Sequence, residues 1–432
     1  MRIVRPFVFG LALAVLAQNY LSLPMNAQAA EAQDAVENAS GDDARLSAFQ
    51  AEITAMEVRE LPLIVEANFG SFIDADDVNP INHRALKIET LYPDFYESNS
   101  RYRAMASYKV VFYPNFHSVL VTYIIGEHEM ETTLINYDAN GNILDHQLIA
   151  YDETADGQSQ IRSRLTENGI RAHRVSWDLI KEIDEQEFAV SFDGTIDKIS
   201  SRKLSDTLAD YTVVLSVLHE LGVDPLNVKT DLIASKANPE DPDEVIVVIP
   251  EIVEEGEQYF VLNCHIVLAD NRTGEMTHTY FESGQTNQWV SDAIELQEIS
   301  LDTAPYRMAP DIRAFGVRVR YSGMSRVNPY DSETLSLFVK SGGKLDKVLD
   351  AFPMKEATGR WDGDCTGEFS DTESILFMAD QKSNGFANIK IKSHTVTSKN
   401  KVNADAECEA QEAKTLSLQE LRFNGIEYQP VD

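Results

Sequence analysis

Basic residues are scarce in this chain: 37 Lys and Arg stand against 70 Asp and Glu, a net charge of −33. Such a surface repels phosphate backbones and anionic lipid, which argues against unaided binding to nucleic acid or a bilayer. Cysteine is also scarce, three in 432 residues, too few for a dense disulfide framework or a cysteine-built zinc cluster. After the first thirty residues no apolar run approaches the ~20 positions that a spanning helix needs. Motifs of nucleotide binding and serine hydrolysis are missing as well: there is no G-x-x-x-x-G-K-[ST], no G-x-G-x-x-G and no G-x-S-x-G.

Metal motifs fail on inspection. His219-Glu220 and His128-Glu129 begin as a zinc-protease helix does, but Val223 and Thr132 stand where the second histidine is required. Asp138-Ala139-Asn140-Gly141-Asn142 is rich in oxygen ligands, yet lacks the spacing and distal Glu of a calcium loop and reads as a turn. Asp74, Asp76 and Asp77 read as a solvated acidic loop. No metal, no other cofactor and no catalytic residue is therefore expected.

What is present begins with an address. Arg2 and Arg5 precede the apolar stretch Phe7 to Leu16, and Ala27-Gln28-Ala29 has the form of a signal-peptidase site. Residues 1–29 are thus expected to be a bacterial signal peptide, cleaved near Ala29, with the product in the periplasm or the medium and not inserted in a membrane. In that compartment Cys365 and Cys408, both in polar turn-like contexts, are expected to pair. Cys264 shares one face of a strand with Phe260, Leu262, Ile266 and Leu268 and is expected to be a buried free thiol.

The fold class is expected to be mainly β, with antiparallel meander and sandwich-like domains and one or two helices at the domain starts. Residues 30–42 read as a flexible lead-in. Residues 43–203 form a first domain. It opens on an amphipathic helix (Leu46, Phe49, Ile53, Met56) and continues as period-two strands separated by turn signals such as Asn140-Gly141, Asn168-Gly169 and Asp193-Gly194. Residues 204–357 form a second, opening on a helix over 204–221 with Gly222 as its C-cap. Within it Asn238-Pro239-Glu240-Asp241-Pro242 reads as a stiff linker, and Val245 to Ile249 as a strand buried on both faces. Residues 358–432 form a C-terminal hairpin segment, with a bulge expected at Gln419-Glu420 where the apolar phase changes. The piece Tyr137 to Asn142 resembles one unit of the tyrosine–aspartate repeats of large secreted shells. A tandem array needs several copies, so the likeness implies shared hairpin chemistry only.

One electrostatic feature points to a partner. Residues 204–300 carry three cations against 19 acids, whereas residues 301–330 carry Arg307, Arg313, Arg318, Arg320 and Arg326 against two acids. With Trp289, Tyr330 and the loop 283–292, these arginines have the composition of a binding hot spot. The expectation is an exported, non-enzymatic binding or interaction protein for a protein or small-molecule partner. The alternatives are an exported hydrolase whose site is not visible in sequence, or an acidic inhibitor or immunity-type protein that neutralises a basic partner.

Overall fold

The computed structural model describes residues 43–67, 81–96, 103–125, 129–153, 159–177 and 180–431. The expected signal peptide, the lead-in 30–42 and the loop of Asp74, Asp76 and Asp77 lie outside these residues. The molecule is mainly β, built from antiparallel sheets with few helices, one of them near the N-terminus. Among the described residues no helix is long and apolar enough to cross a membrane.

The first sheet is a sequential meander of β2 (Arg103–Val110), β3 (His117–Ile125), β4 (Glu129–Tyr137), β5 (Ile143–Glu153), β6 (Ser159–Thr166), β7 (Gly169–Trp177), β8 (Lys181–Val190) and β9 (Ile196–Lys203). One strand is out of order. β1 (Leu63–Glu66) pairs with Arg162 to Leu165 of β6, leaving β5 and β6 a single pair, Tyr151 with Ile161. The sheet curls around Leu120, Ile124, Met130, Leu134, Leu165 and Phe188. Its last hairpin is tied back to β4 and β5 by buried or half-buried polar groups: the Asn136 side chain donates to the Gly194 carbonyl at 2.8 Å, and the Ile196 N–H donates to Asp145 Oδ2 at 2.8 Å. The outer face of β3 and β4 (Val119, Val121, Tyr123, Ile135) is covered by the amphipathic helix α1 over residues 43–55, through Phe49 and Ile53. Here the Asp138 turn proves structural. Its carboxylate accepts the N–H groups of Asn140 and Asn142, and Gly141, at φ 72°, lies under the Phe49 ring where a Cβ would come within 2.8 Å.

The expected helix over 204–221 is in fact two, α2 (Leu204–Thr207) and α3 (Tyr211–Leu221), broken where Asp210 takes a left-handed conformation. The break lets Leu204 and Tyr211 pack on Val175 and Ile183 of the first sheet, while Val213, Val214, Val217 and Leu218 cover Val245, Val247 and Ile249 of the second. Gly222 is the C-cap, at φ 68°, with the Val223 N–H bonded to the Leu218 carbonyl.

The second sheet contains β10 (Ala234–Asn238), β11 (Asp241–Gly256), β12 (Tyr259–Asp270), β13 (Met276–Glu282), β14 (Val290–Ser291), β15 (Ile294–Ala309), β16 (Ile312–Gly323), β17 (Tyr330–Ser341), β18 (Lys344–Trp361), β19 (Gly367–Ser383), β20 (Phe386–Val402), β21 (Cys408–Phe423) and β22 (Tyr428–Pro430). β15 to β18 fold back over β11 and β12, so Ile246, Val248, Leu262, Ile266, Phe315, Val317 and Phe338 share one core. Val245 to Ile249 are buried on both faces, as the unbroken apolar run implies. The expected linker at 238–242 is instead the tight turn joining β10 to β11, with Asn238 paired to Asp241. The prolines sit at the turn and strand entry, where no ladder N–H is needed. The expected boundary at 357/358 falls inside β18.

β19, β20 and β21 form a long arm of 16 to 17 residues per strand, each about 55 Å when extended. Their body-side halves put Ile389, Ile391, Leu421 and Phe423 into the core, and Cys365 and Cys408 are joined near the far end. No bulge occurs at Gln419-Glu420: pairing runs unbroken from Ile389/Leu421 to Val402/Cys408. The apolar phase changes because the strand leaves the core. Leu421 and Phe423 point inward, whereas Leu416 and Leu418, on the opposite face, are 56% and 78% exposed.

Candidate functional site

The five arginines do not converge. Arg313 bonds Glu240 and the Thr303 carbonyl, and Arg307 bonds the same Glu240 from an exposed position. Arg318 lies between Asp302, at 2.6 Å, and Glu333. Arg320 bonds Asp331 at 2.9 Å. Arg326 is exposed in the connection before β17. Burial pushes the Asp302 carboxyl up, but the Ala304 N–H, Arg318 and the Tyr306 hydroxyl together hold it below its ordinary value. Arg318→Ala, which leaves Asp302 without its cation, is expected to lower stability by about 2 kcal/mol, between the costs of an exposed and a fully buried pair. Arg320→Ala should unfold with the wild type. Urea denaturation of the two variants checks the difference.

Trp289 and Tyr330 do converge. They line a cleft of about 280 Å³ between the loop 283–292 and the inner faces of β16 and β17. One wall carries Val317, Val319 and Tyr321, the next Ser332, Thr334, Ser336 and Phe338, and the floor Cys264, Glu282 and Lys347. Alternation decides this: on β16 the residues that turn inward are the odd-numbered Val317, Val319 and Tyr321, and those that turn out are Arg318 and Arg320.

The rim is held in unusual backbone conformations. Gln288 has φ 61° and Ala351 φ 40°, and both line the cleft. Non-glycine residues in this region cost of order 1–3 kcal/mol each and cluster at binding and catalytic sites. Ala351 belongs to a bulge in β18, where Leu335 pairs with Phe352 but Leu337 with Leu349. The extra residues carry Asp350 and Ala351 to the cleft, and the Ala351 N–H donates to Ser336 Oγ at 2.9 Å. Gln288 is fixed by its carbonyl, which accepts from the Tyr321 hydroxyl at 2.9 Å. The rest of the loop is tied to β12: the Asn287 side chain donates to the Leu262 carbonyl at 2.9 Å, and the Leu262 N–H donates to the Trp289 carbonyl at 3.0 Å.

Each titratable group with a shift in the cleft is pushed toward one protonation state. Burial pulls the Lys347 ammonium down, but its bonds to Asp350 (2.6 Å) and Glu282 (2.8 Å) outweigh this and hold it above the ordinary lysine value. Burial pushes Glu282 up, and Lys347 with the Tyr280 hydroxyl brings it below its usual range. Burial raises the Cys264 thiol well above its ordinary value, and raises Tyr321 as well. At neutral pH these groups are an ammonium, a carboxylate, a neutral thiol and a neutral phenol. None of the four is tuned toward the working pH as an acid or base for proton transfer would be.

Among the described residues no group of three or more His, Cys, Asp and Glu is placed to hold a metal ion. A buried charged cluster lies elsewhere, where the two sheets meet. Glu185, with its side chain 2% exposed, is bonded by His173 Nε2 at 2.9 Å, by Arg202 at 2.6 Å and by the Thr230 hydroxyl at 3.0 Å. Arg162 with Asp224 (2.6 Å) and Arg164 with Glu255 (3.1 Å) add to this joint. Compared with known proteins, the chain matches no family model and no curated sequence.

Proposed function

We propose that this is an exported, non-enzymatic binding protein, and that the cleft beside Trp289 holds a small polar solute. The observation that carries the reading is the convergence at one mouth of three aromatic rings (Trp289, Tyr321, Tyr330), a wall of three hydroxyls (Ser332, Thr334, Ser336) and two strained backbone positions. Aromatic surface with a few placed polar groups is the usual lining of a small-molecule site. Glu282, Asp292 and Asp350 outnumber Lys347. The balance disfavours anions and suits a neutral hydroxylated molecule or a small amine, whose cation also gains from aromatic faces. The disulfide suits an oxidising, exported setting.

Glucose, betaine, putrescine and succinate test the reading by Trp289 fluorescence and thermal shift. At least one of the first three is expected to raise the unfolding temperature in a saturable way, and succinate is not. Thr334→Phe, which fills the cleft from its hydroxyl wall, should weaken that binding at least tenfold while the circular dichroism spectrum is unchanged. Retention of full affinity in Thr334→Phe would remove the cleft from the account.

A further inference from the structure

The arm ends in β21, whose outer edge is paired among the described residues only at its body-side end. β22 pairs with Leu421, Arg422 and Phe423, and the Val431 N–H takes the Glu420 carbonyl. From Cys408 to Gln419 no described strand lies alongside β21. The Glu420 carbonyl points outward, and backbone groups alternate sides along a strand. The even-numbered residues 408–418 therefore present both N–H and C=O to solvent, while the odd-numbered ones bond β20. The run has no proline and no bulge and includes exposed Leu416 and Leu418; its protection is charge alone, from Glu409, Glu412 and Lys414.

We infer that a second copy of this chain pairs with this edge, β21 against β21 in antiparallel fashion, about a two-fold axis through Ala413. The register follows from three requirements. Paired residues must share a face, so a two-fold normal to the sheet passes through a residue and not between two. The pairing must fit the free edge, and a centre at 413 spans 408–418. The side chains must match, and only this centre matches them. Glu412 then faces Lys414 of the second copy, twice by symmetry. Leu416 faces Ala410, and Leu418 faces the half-cystine at 408. On the other face Thr415 meets Gln411, extending the hydroxyl row in which Thr372 and Thr395 are already bonded at 2.9 Å. Centres at 412 or 414 set like charges opposite each other. A centre at 415 puts Leu416 against Lys414 and Leu418 against Glu412, and it reaches Glu420, whose carbonyl is taken.

The dimer joins β18, β19, β20 and β21 of each copy, in that order, into a continuous sheet of at least eight strands, with about a dozen new backbone hydrogen bonds and a body at each end. With no packed layer behind the joint, its area is at the small end for stable interfaces, so the association is concentration-dependent in the micromolar range, about 1–100 μM.

Sedimentation velocity across that range reads the mass directly. The wild type is expected to shift from one to two chain masses. Lys414→Glu, which puts Glu opposite Glu412, should weaken the dimer at least tenfold, and the swap Glu412→Lys/Lys414→Glu should restore it. Leu416→Pro deletes an outward N–H without touching the β20 ladder and should also abolish the dimer. Ala413→Cys lies beside its own copy in a non-hydrogen-bonded pair, at a spacing a disulfide spans, and should cross-link on mild oxidation. A chain that stays monomeric at 100 μM (about the upper end of this range), or a dimer indifferent to Lys414→Glu and Leu416→Pro, overturns the inference; strand addition by a foreign protein is then the reading left.

Discussion

Cys365→Ser/Cys408→Ser is expected to lose about 4 kcal/mol of unfolding free energy, the loop-entropy value for the 43-residue separation that the disulfide closes. The bond sits near the tip of the arm, where β21 is exposed on both faces, β19 and β20 are half-buried on one face only, and little is gained from burial. Without it the distal ladder is held by its backbone pairing, its turns and exposed or half-buried side-chain bonds such as Thr372 to Thr395, and fraying there is transmitted to the body-side halves that supply Ile389, Ile391 and Leu421 to the core. Urea denaturation under oxidising conditions measures the loss. Hydrogen exchange should rise first over 395–415. Cys264→Ala offers the contrast: this thiol is fully buried and unpaired, so the change should leave exchange in the arm as it is. Equal stability of the double serine variant and the wild type would show that the bond constrains nothing.

Glu185→Gln is the second large effect, and it is pH-dependent. Burial pushes the Glu185 carboxyl up. The hydrogen bond and charge of His173, the bond from Arg202 and the charge of Arg171 overcome this and lower it from 4.5 to about 2. A carboxyl whose folded value is depressed adds stability above its unfolded value, and that stability is lost as pH falls through the folded one. The difference between the two states corresponds to about 3 kcal/mol. Glu185→Gln should therefore cost about that much at any pH above 4.5 and progressively less on acidification, the two proteins converging near pH 2. Chemical denaturation at a series of pH values checks it; a pH-independent cost would mean that Glu185 acts by packing alone. Because Thr230 of the second unit bonds the same carboxylate, the variant should also loosen the joint between the sheets.

The strands were legible wherever one face is wet, because alternation and Asn-Gly or Asp-Gly turns then carry the signal; Asn140-Gly141 and Asp193-Gly194 both mark true hairpins. Legibility failed where a long-range contact set the local geometry. Asp210 breaks a helical stripe because two different sheets claim its ends. Leu416 and Leu418 look like a phase error only if the strand is assumed to stay in the core. Arginine and aromatic residues at 289–330 announced a surface, but strand order was needed to see that Asp302, Asp331 and Glu333 lie across from Arg318 and Arg320. The cleft itself left a faint trace. Ser332, Thr334 and Ser336 alternate like any solvent face, and nothing in the run around Ala351 marks a bulge.

The misplaced strand β1 has a consequence for how the chain reaches this state. Every other neighbour in the first sheet is joined by a turn or short connection and can zip up as it forms. Leu63–Glu66 instead closes against Arg162 to Leu165, roughly a hundred residues later in synthesis. An early-emerging segment must therefore wait, unpaired, until β6 exists, and the pairing of β1 cannot precede that late arrival.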